Sequence, residues 1–325
     1  MMTGLHPHRN GTLGFVLVPE GVPNLSQLLM AKGYYTASFN KGRGYKSFKW
    51  TEFLDGYGTR GFGRDPGMFV ASAKKAIAKA KSEGKPFFLN VAISDPHRAF
   101  PVSLQESEEL EAASYPYSTR TPLIVRWPGV VQPGRVDREH MVSTMDLMPT
   151  LLEAVTGIPA PVKLDVRSLS TLLKGQPQAG RDHVFTTQNY ITPGTQVYPM
   201  RAVHTRDYSC IFNAWSDGKT KFNGECHSGL TFDALLTAAK TDAGIAERVK
   251  QIEYRVREEL YDVKQDPGCL HNLVNDEHYA TVKAELKKAM TDEMVRTEDP
   301  LLPSFQEKGT IPASWLNAKK KSLAE

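Results

Sequence analysis

The run Phe87-Phe88-Leu89-Asn90-Val91-Ala92-Ile93 constrains the fold more than any other stretch of the chain. It is short and mostly apolar, with Lys85-Pro86 before it and Asp95-Pro96 after it. That length and those breakers suit a strand buried on both faces better than a helix. Upstream, Asp65 can cap a helix that runs to about Ser82, rich in Ala, Lys and Ile and closed by Gly84. Earlier still, Val22 to Lys32 reads as a short helix stopped by Gly33, and residues 34 to 39, Tyr-Tyr-Thr-Ala-Ser-Phe, read as a strand. Helix then strand, twice over, is the α/β pattern. In open sheets of this kind ligands sit beyond the carboxyl ends of the strands. The apolar run therefore delivers His97 and Arg98 to such a place, although this stretch alone reads equally well as a polar turn with a solvated histidine.

Further on, residues 121 to 129 (TPLIVRWPG) read as another apolar strand with a Pro-Gly stop, and 143 to 157 as an amphipathic helix. His183 to Gln188 read as a late strand. The texture then changes. Residues 199 to 204 and 208 to 213 form an expected hairpin about Thr205-Arg206-Asp207, Glu258 to Val263 a further strand, and 275 to 297 a charged amphipathic helix. The expected organisation is a main α/β domain over 1–189 and a smaller α+β domain over 190–325.

Composition excludes several classes. The 325 residues carry a formal net charge of +4, with 40% apolar and 23% charged residues, as in a soluble globular protein. No basic run with interleaved aromatics suggests nucleic acid, and no apolar run is long enough to span a bilayer. Residues 1 to 12 have no charged region followed by an apolar one, so they do not read as a signal peptide. Cys210, Cys226 and Cys269 show no CxxC spacing, which argues against zinc; Cys210 and Cys226 could pair. His6-Pro7-His8 reads as a loop rather than a metal pair, two histidines on one loop without carboxylate partners.

Taken together, several stretches resemble the sulfatase family of the alkaline-phosphatase-like superfamily, nearest to its sulfamidase (heparan N-sulfatase) branch. They are TGLHPHRNG (3–11), GVPNLSQLLMAKGYYTASFNKG (21–42), PFFLNVAISDPHR (86–98), STRTPLIVRWPGVVQPG (118–134), VSTMDLMPTLLEAVTGIP (142–159), YPMRAV (198–203) and REELYDVKQDPGCLHNL (257–273). They span most of the chain in the family's order. The resemblance implies an α/β sandwich with a central mixed sheet, incomplete here, plus a smaller C-terminal α+β subdomain. It implies hydrolysis of sulfate esters or sulfamates on sugars or glycosaminoglycans, by a formylglycine made from Cys or Ser in C/S-x-P-S/A-R and assisted by calcium. That chemistry needs an activated nucleophile, cations over the developing charge and an acid for the leaving atom.

Residue by residue, His97 falls on the family's active-site histidine, which contacts the sulfate and leaving group. Lys41 falls on the signature lysine that binds a sulfate oxygen, with a surface lysine as the alternative, because Phe39-Asn40-Lys41-Gly42-Arg43 departs from the family's Ile-Gly-Lys-x-His. Arg43 stands near the lost histidine; it can bind sulfate but cannot act as an acid near neutral pH. Arg98 joins Lys41 and Arg43 as an expected substrate-binding cation. The nucleophile motif and the first paired carboxylates of the calcium site would precede Met1. The family's Ser-Asp-Asn/His-Gly ligands have no counterpart between Arg98 and Ser118, so no metal ligand is assigned. Ser94-Asp95-Pro96-His97-Arg98 matches S-x-P-x-R by letter only, with His where a small residue belongs. The expectation is an N-terminally truncated, internally deleted sulfatase relative without hydrolytic activity of its own. A glycan- or anion-binding remnant and a phosphoesterase of the same superfamily are the alternatives. Intact relatives of this kind are periplasmic, secreted or lysosomal. Missing strands should leave apolar faces of the main sheet uncovered.

Overall fold

The computed structural model describes residues 1–12, 17–40, 47–54, 65–93, 119–190, 197–224, 227, 229–307, 311–312 and 315. Two sheets organise it, one parallel and one antiparallel.

The parallel sheet has the order β2-β1-β3, built from β1 (Tyr35–Phe39), β2 (Glu52–Leu54) and β3 (Phe87–Val91). Helix α2 (Leu25–Ala31) leads into β1, and its Asn24 cap accepts from the Gln27 amide at 3.1 Å. The helix α3 (Pro66–Ser82) leads into β3; Asp65 accepts from Gly67 N at 2.8 Å and Met68 N at 3.4 Å, and Pro66 starts the first turn. Phe69, Ala76 and Ala80 of α3 bury one helix face against Tyr35, Ala37 and Phe39. The small alanines let helix and sheet approach closely. Helix α1 (Pro7–Asn10) is a single turn closed by Gly11 at φ 82°. A Cβ on Gly11 would meet Pro19 Cγ at 2.8 Å, so both the turn and the packing require glycine there.

Two expectations are corrected in this half. Strand β3 is not buried on both faces: Phe87 and Val91 are 41% and 42% exposed, and among the described residues β3 has a ladder partner, β1, on one side only. Residues 121–127 form no strand; they run outside both sheets with Ile124 91% exposed. An apolar run is a strand only where a neighbour completes its hydrogen bonds. Helix α4 (Leu147–Thr156) does form, after a short 3₁₀ turn in which Ser143 and Asp146 make a reciprocal cap. A one-turn helix α5 (Ser170–Leu173) follows.

The antiparallel sheet has the order β4-β5-β6-β7: β4 (His183–Tyr190), β5 (Val197–Thr205), β6 (Tyr208–Asn213) and β7 (Glu258–Asp262). The hairpin falls where the sequence put it, with Val203 opposite Cys210. Helices α6 (Leu230–Ala238) and α7 (Ala243–Tyr254) lie between β6 and β7 in sequence, and α8 (Ala280–Arg296) and α9 (Leu302–Glu307) follow β7. Leu286, Met290 and Met294 of α8 pack with Val203, Phe212 and Leu260 of the sheet and Phe305 of α9 in one buried cluster. We propose residue 190 as the boundary between two units; the antiparallel sheet draws its first strand from before it. Cys210 is a free, buried thiol and so is Cys269, each pushed up to about 12 by burial and therefore inert near neutral pH. Cys226 lies outside the described residues. Among the described residues no helix is long and apolar enough to cross a membrane.

Candidate functional site

The four residues expected to bind and turn over substrate, Lys41, Arg43, His97 and Arg98, all lie outside the described residues, as does the Ser94–Arg98 look-alike. The frame that leads to them is described. Strands β1 and β3 are parallel, so both point their carboxyl ends to the same edge, with Phe39 opposite Val91. The Ala92 amide donates to Phe39 O at 3.1 Å and the Asn40 amide to Leu54 O at 2.9 Å, extending the ladder one step past each side of β1. The Asn40 side chain then donates from Nδ2 to Ala92 O at 3.0 Å. The residue before Lys41 is thereby tied to the residue two before Ser94.

Asn40 has φ 61°, in the left-handed region. Asparagine tolerates that conformation far better than a β-branched residue. Backbone held in such a region needs surrounding bonds to fix it, and three strands supply them. Sequence reasoning passed over Asn40, although an Asn between a strand and an expected binding lysine was the signal. Just inside the edge, Asn90 Nδ2 donates to Ser38 Oγ at 3.0 Å.

The N-terminal segment, read as a loop, is buried instead. His6 Nε2 lies 2.9 Å from Glu293 Oε1, and His8 Nε2 lies 3.1 Å from Thr297 O. The two rings stack at 5.6 Å. Arg9 reaches Asp165 at 2.5 Å, and Asp299 is gripped by both Nε and Nη2 of Arg201. Burial alone would raise the Glu293 and Asp299 carboxyls. His6 and Arg296 outweigh it at Glu293, and Arg201 with His8 at Asp299, so both stay below the usual range. Burial lowers His8 and favours its neutral form. These residues join the start of the chain to α8 and are structural.

A cavity of about 370 Å³ opens beside this joint, lined among others by Asp146, Asp165, Arg167, Arg181 and Arg296. Its cations are already engaged. Arg181 binds Asp146 at 2.5 Å and Arg167 O at 3.0 Å; Arg167 holds the carbonyls of Ala179 and Gly180. Arg296 holds Glu293 and Asp165 O. It is a stabilised seam, with no free cation aimed into it among the described residues. Among the described residues no group of three or more His, Cys, Asp or Glu is arranged to hold a metal ion. The buried carboxylates here face arginines and histidines, a donor set that does not fit calcium.

Comparison with known proteins adds lineage to this geometry. Residues 112–220 match the family described as N-sulphoglucosamine sulphohydrolase, C-terminal. The chain is 29% identical to human N-sulphoglucosamine sulphohydrolase over 197 residues, covering 54% of this chain and 38% of that protein. It is 30% identical to human arylsulfatase A over 218 residues, covering 62% and 38%. It is 26% identical to an ulvan-active sulfatase of Formosa agariphila over 176 residues, covering 53% and 32%. The chain thus aligns with about a third of the length of these relatives. In fold it is similar to a solved 2-O GAG sulfatase, with TM-score 0.57, 18% identity, and 97% of this chain and 84% of that one covered. A protein solved with its substrate D-glucosamine-2-N,6-O-disulfate gives TM-score 0.58 at 13% identity, covering 92% and 87%.

Proposed function

Because the chain belongs to the sulfatase family of the alkaline-phosphatase-like superfamily, we propose that it recognises a sulfated sugar, sulfate ester or sulfamate, at the carboxyl edge of its parallel sheet. His97 would meet the sulfate and its leaving group, and Lys41, Arg43 and Arg98 would offset the sulfate charge. The observation that carries this reading is the tie between Asn40 and Ala92, at 3.0 Å, which sets the chain leading to Lys41 beside the chain leading to His97. Arginine suits a planar, bidentate hold on an oxyanion and lysine a point charge. Three cations and a histidine gathered at that edge would be chemistry fit for sulfate.

For these 325 residues alone we propose binding without hydrolysis. The sequence contains no C/S-x-P-S/A-R with its small fourth residue, so no residue is assigned as the formylglycine precursor. No step is drawn through calcium, since no described donor set fits it.

The test is calorimetric titration of the purified chain with N-sulfoglucosamine and with glucosamine 6-phosphate, alongside a sulfate-release assay with and without added calcium. Binding of the sulfated sugar should weaken about tenfold or more in His97→Ala and Arg98→Ala, the scale of one lost charge-assisted hydrogen bond. No sulfate should appear. Sulfate release would sink the non-hydrolytic reading. Tighter binding of the phosphate would move the substrate to phosphate monoesters, and no binding of either would remove the site.

A further inference from the structure

Helix α3 carries a second, separate feature. Residues 66–85 hold five lysines, Lys74, Lys75, Lys79, Lys81 and Lys85, against one acid, Glu83, a net of +4 that equals the net charge of all 325 residues. The remaining 305 residues are neutral in sum, so the chain's whole excess of positive charge sits on this one element.

The lysines are also ordered on the helix. At 100° per residue, Phe69, Ala76 and Ala80 form the face buried against β1; Lys74, Lys75 and Lys81 fall on the far side of the helix and Lys79 on its flank, and all four are exposed. No acid interrupts that face within Pro66–Ser82. Among the described residues no ion pair engages Lys74, Lys75 or Lys81; Lys79 lies over the Tyr35 ring at 5.8 Å, and Glu83 pairs with Lys85. Lys75 and Lys79, like charges four residues apart, repel and destabilise the helix by a few tenths of a kcal/mol. Lysines 79 and 81 recover part of that from the helix C-terminus, but Lys74 and Lys75, in mid-helix, do not.

We propose that this face of α3 is a docking surface for a linear sulfated polysaccharide. The choice of a sulfated sugar polymer rests on the function proposed above; the surface itself rests on the lysines. Three point charges without an ion pair, Lys74, Lys75 and Lys81, with Lys79 at their flank, lie along about 10 Å of helix and complement a flexible polyanion, for which density of charge matters more than shape. No aromatic side chain stands exposed among the lysines to stack bases, which disfavours single-stranded nucleic acid. The orientation fits as well. The last turn of α3 lies over Tyr35, the first residue of β1, and Gly84 to Pro86 lead directly into the start of β3. The helix therefore runs against the strands, with Pro66 toward the carboxyl edge and Ser82 toward the amino edge. A chain lying along the lysines has one end directed at the edge from which Lys41 and His97 follow.

The experiment is fluorescence anisotropy of a labelled heparin dodecasaccharide with the full chain, across salt concentrations. Two variants are compared: K74Q/K75Q/K79Q/K81Q on the helix, and K174Q/K219Q/K240Q/K264Q, four exposed lysines elsewhere that remove the same charge. The helix variant should bind at least about tenfold more weakly with a flatter salt dependence, while the control keeps most of the affinity. Thermal melting checks that both fold. Equal losses in the two variants would reduce the effect to net charge and overturn the surface. Equally tight binding of a single-stranded DNA of matched charge would overturn the sugar assignment. N-sulfoglucosamine titration separates this surface from the cleft: the helix variant should retain that binding, and a wild type that fails it while still losing heparin in the helix variant would sink the cleft reading alone.

Discussion

Strands β1 and β5 are both buried along nearly their whole length, yet their neighbours differ. In the sheet of β5, strand β6 is buried from Ser209 to Asn213 and β7, on its far side, from Glu259 to Asp262, with α8 packed against the sheet, while the edge strand β4 is half-buried apart from Asn189. Beside β1, no residue of β2 is fully buried, and β3 exposes both of its ends. The antiparallel sheet is the more deeply packed of the two, whereas the parallel one is, among the described residues, three strands held by helices. The proposed site belongs to the second kind of structure, at an edge fixed by hydrogen bonds from Asn40 rather than by depth of packing.

If the antiparallel half holds the molecule together, its buried charges should be the most sensitive points. Arg201 gives Nε and Nη2 to Asp299 and Nη1 to Asn189 Oδ1 and to the Gln188 and Met200 carbonyls, with its guanidinium 5.6 Å from the Trp315 ring. Arg201→Ala leaves Asp299 buried without its main partner, which should destabilise the fold by about 3–5 kcal/mol. Urea unfolding followed by tryptophan fluorescence measures this. A change below about 1 kcal/mol would mean that the antiparallel half is not the stronger one.

The next effect is one of pH. His204 sits between Thr186 Oγ1 at 3.0 Å and Ser209 Oγ at 2.8 Å, and burial, aided by Arg120, lowers its pKa to about 4. A histidine depressed in the folded state binds fewer protons there than in the unfolded chain. Its contribution is complete above the unfolded value near 6.5 and is lost as pH falls toward 4, at up to about 1.4 kcal/mol per pH unit. His8, lowered mainly by burial, acts in the same direction. Residues 35–93 contain no histidine. His204→Gln should therefore flatten the fall in melting temperature between pH 6.5 and 4 without abolishing it, and an unchanged slope would place the pH sensitivity elsewhere.

What could be read in the sequence was what is local. Asp65 announces its helix because a cap lies within three residues of the amides it bonds; Asn24 caps as locally, although the sequence reading began that helix at Val22. The 205–208 turn announces its hairpin for the same reason. Asp242 capped α7 as openly, accepting from Ile245 N at 3.0 Å, but its polar surface hid the helical period and the helix was missed. Strand β2 was lost inside a glycine-rich stretch, since three residues become a strand only through their pairing with β1. The burial of His6 and His8 depends on Glu293 and Asp299, nearly 290 residues away, and no local pattern carries that. The cations and histidine of the proposed site come from the family resemblance alone; Asn40, which ties the strand ends that lead toward them, shows itself through a backbone angle.

The smallest energetic effect tests the other side of the comparison. Val91, Ile93 and Ile124 are 42%, 64% and 91% exposed, and none of them contributes to a buried cluster. Exposed apolar positions change stability by no more than about 0.5 kcal/mol when substituted. Yet together they present apolar surface of the kind that binds hydrophobic dyes and pairs with other chains along an open edge. The triple variant V91T/I93T/I124T should therefore unfold at nearly the same urea concentration as the parent while its anilinonaphthalene sulfonate fluorescence falls by about half. Undiminished dye binding would locate the sticky surface away from β3 and residues 121–127. A large loss of stability would mean that these side chains are packed in solution, and that the parallel sheet is more complete than its three strands.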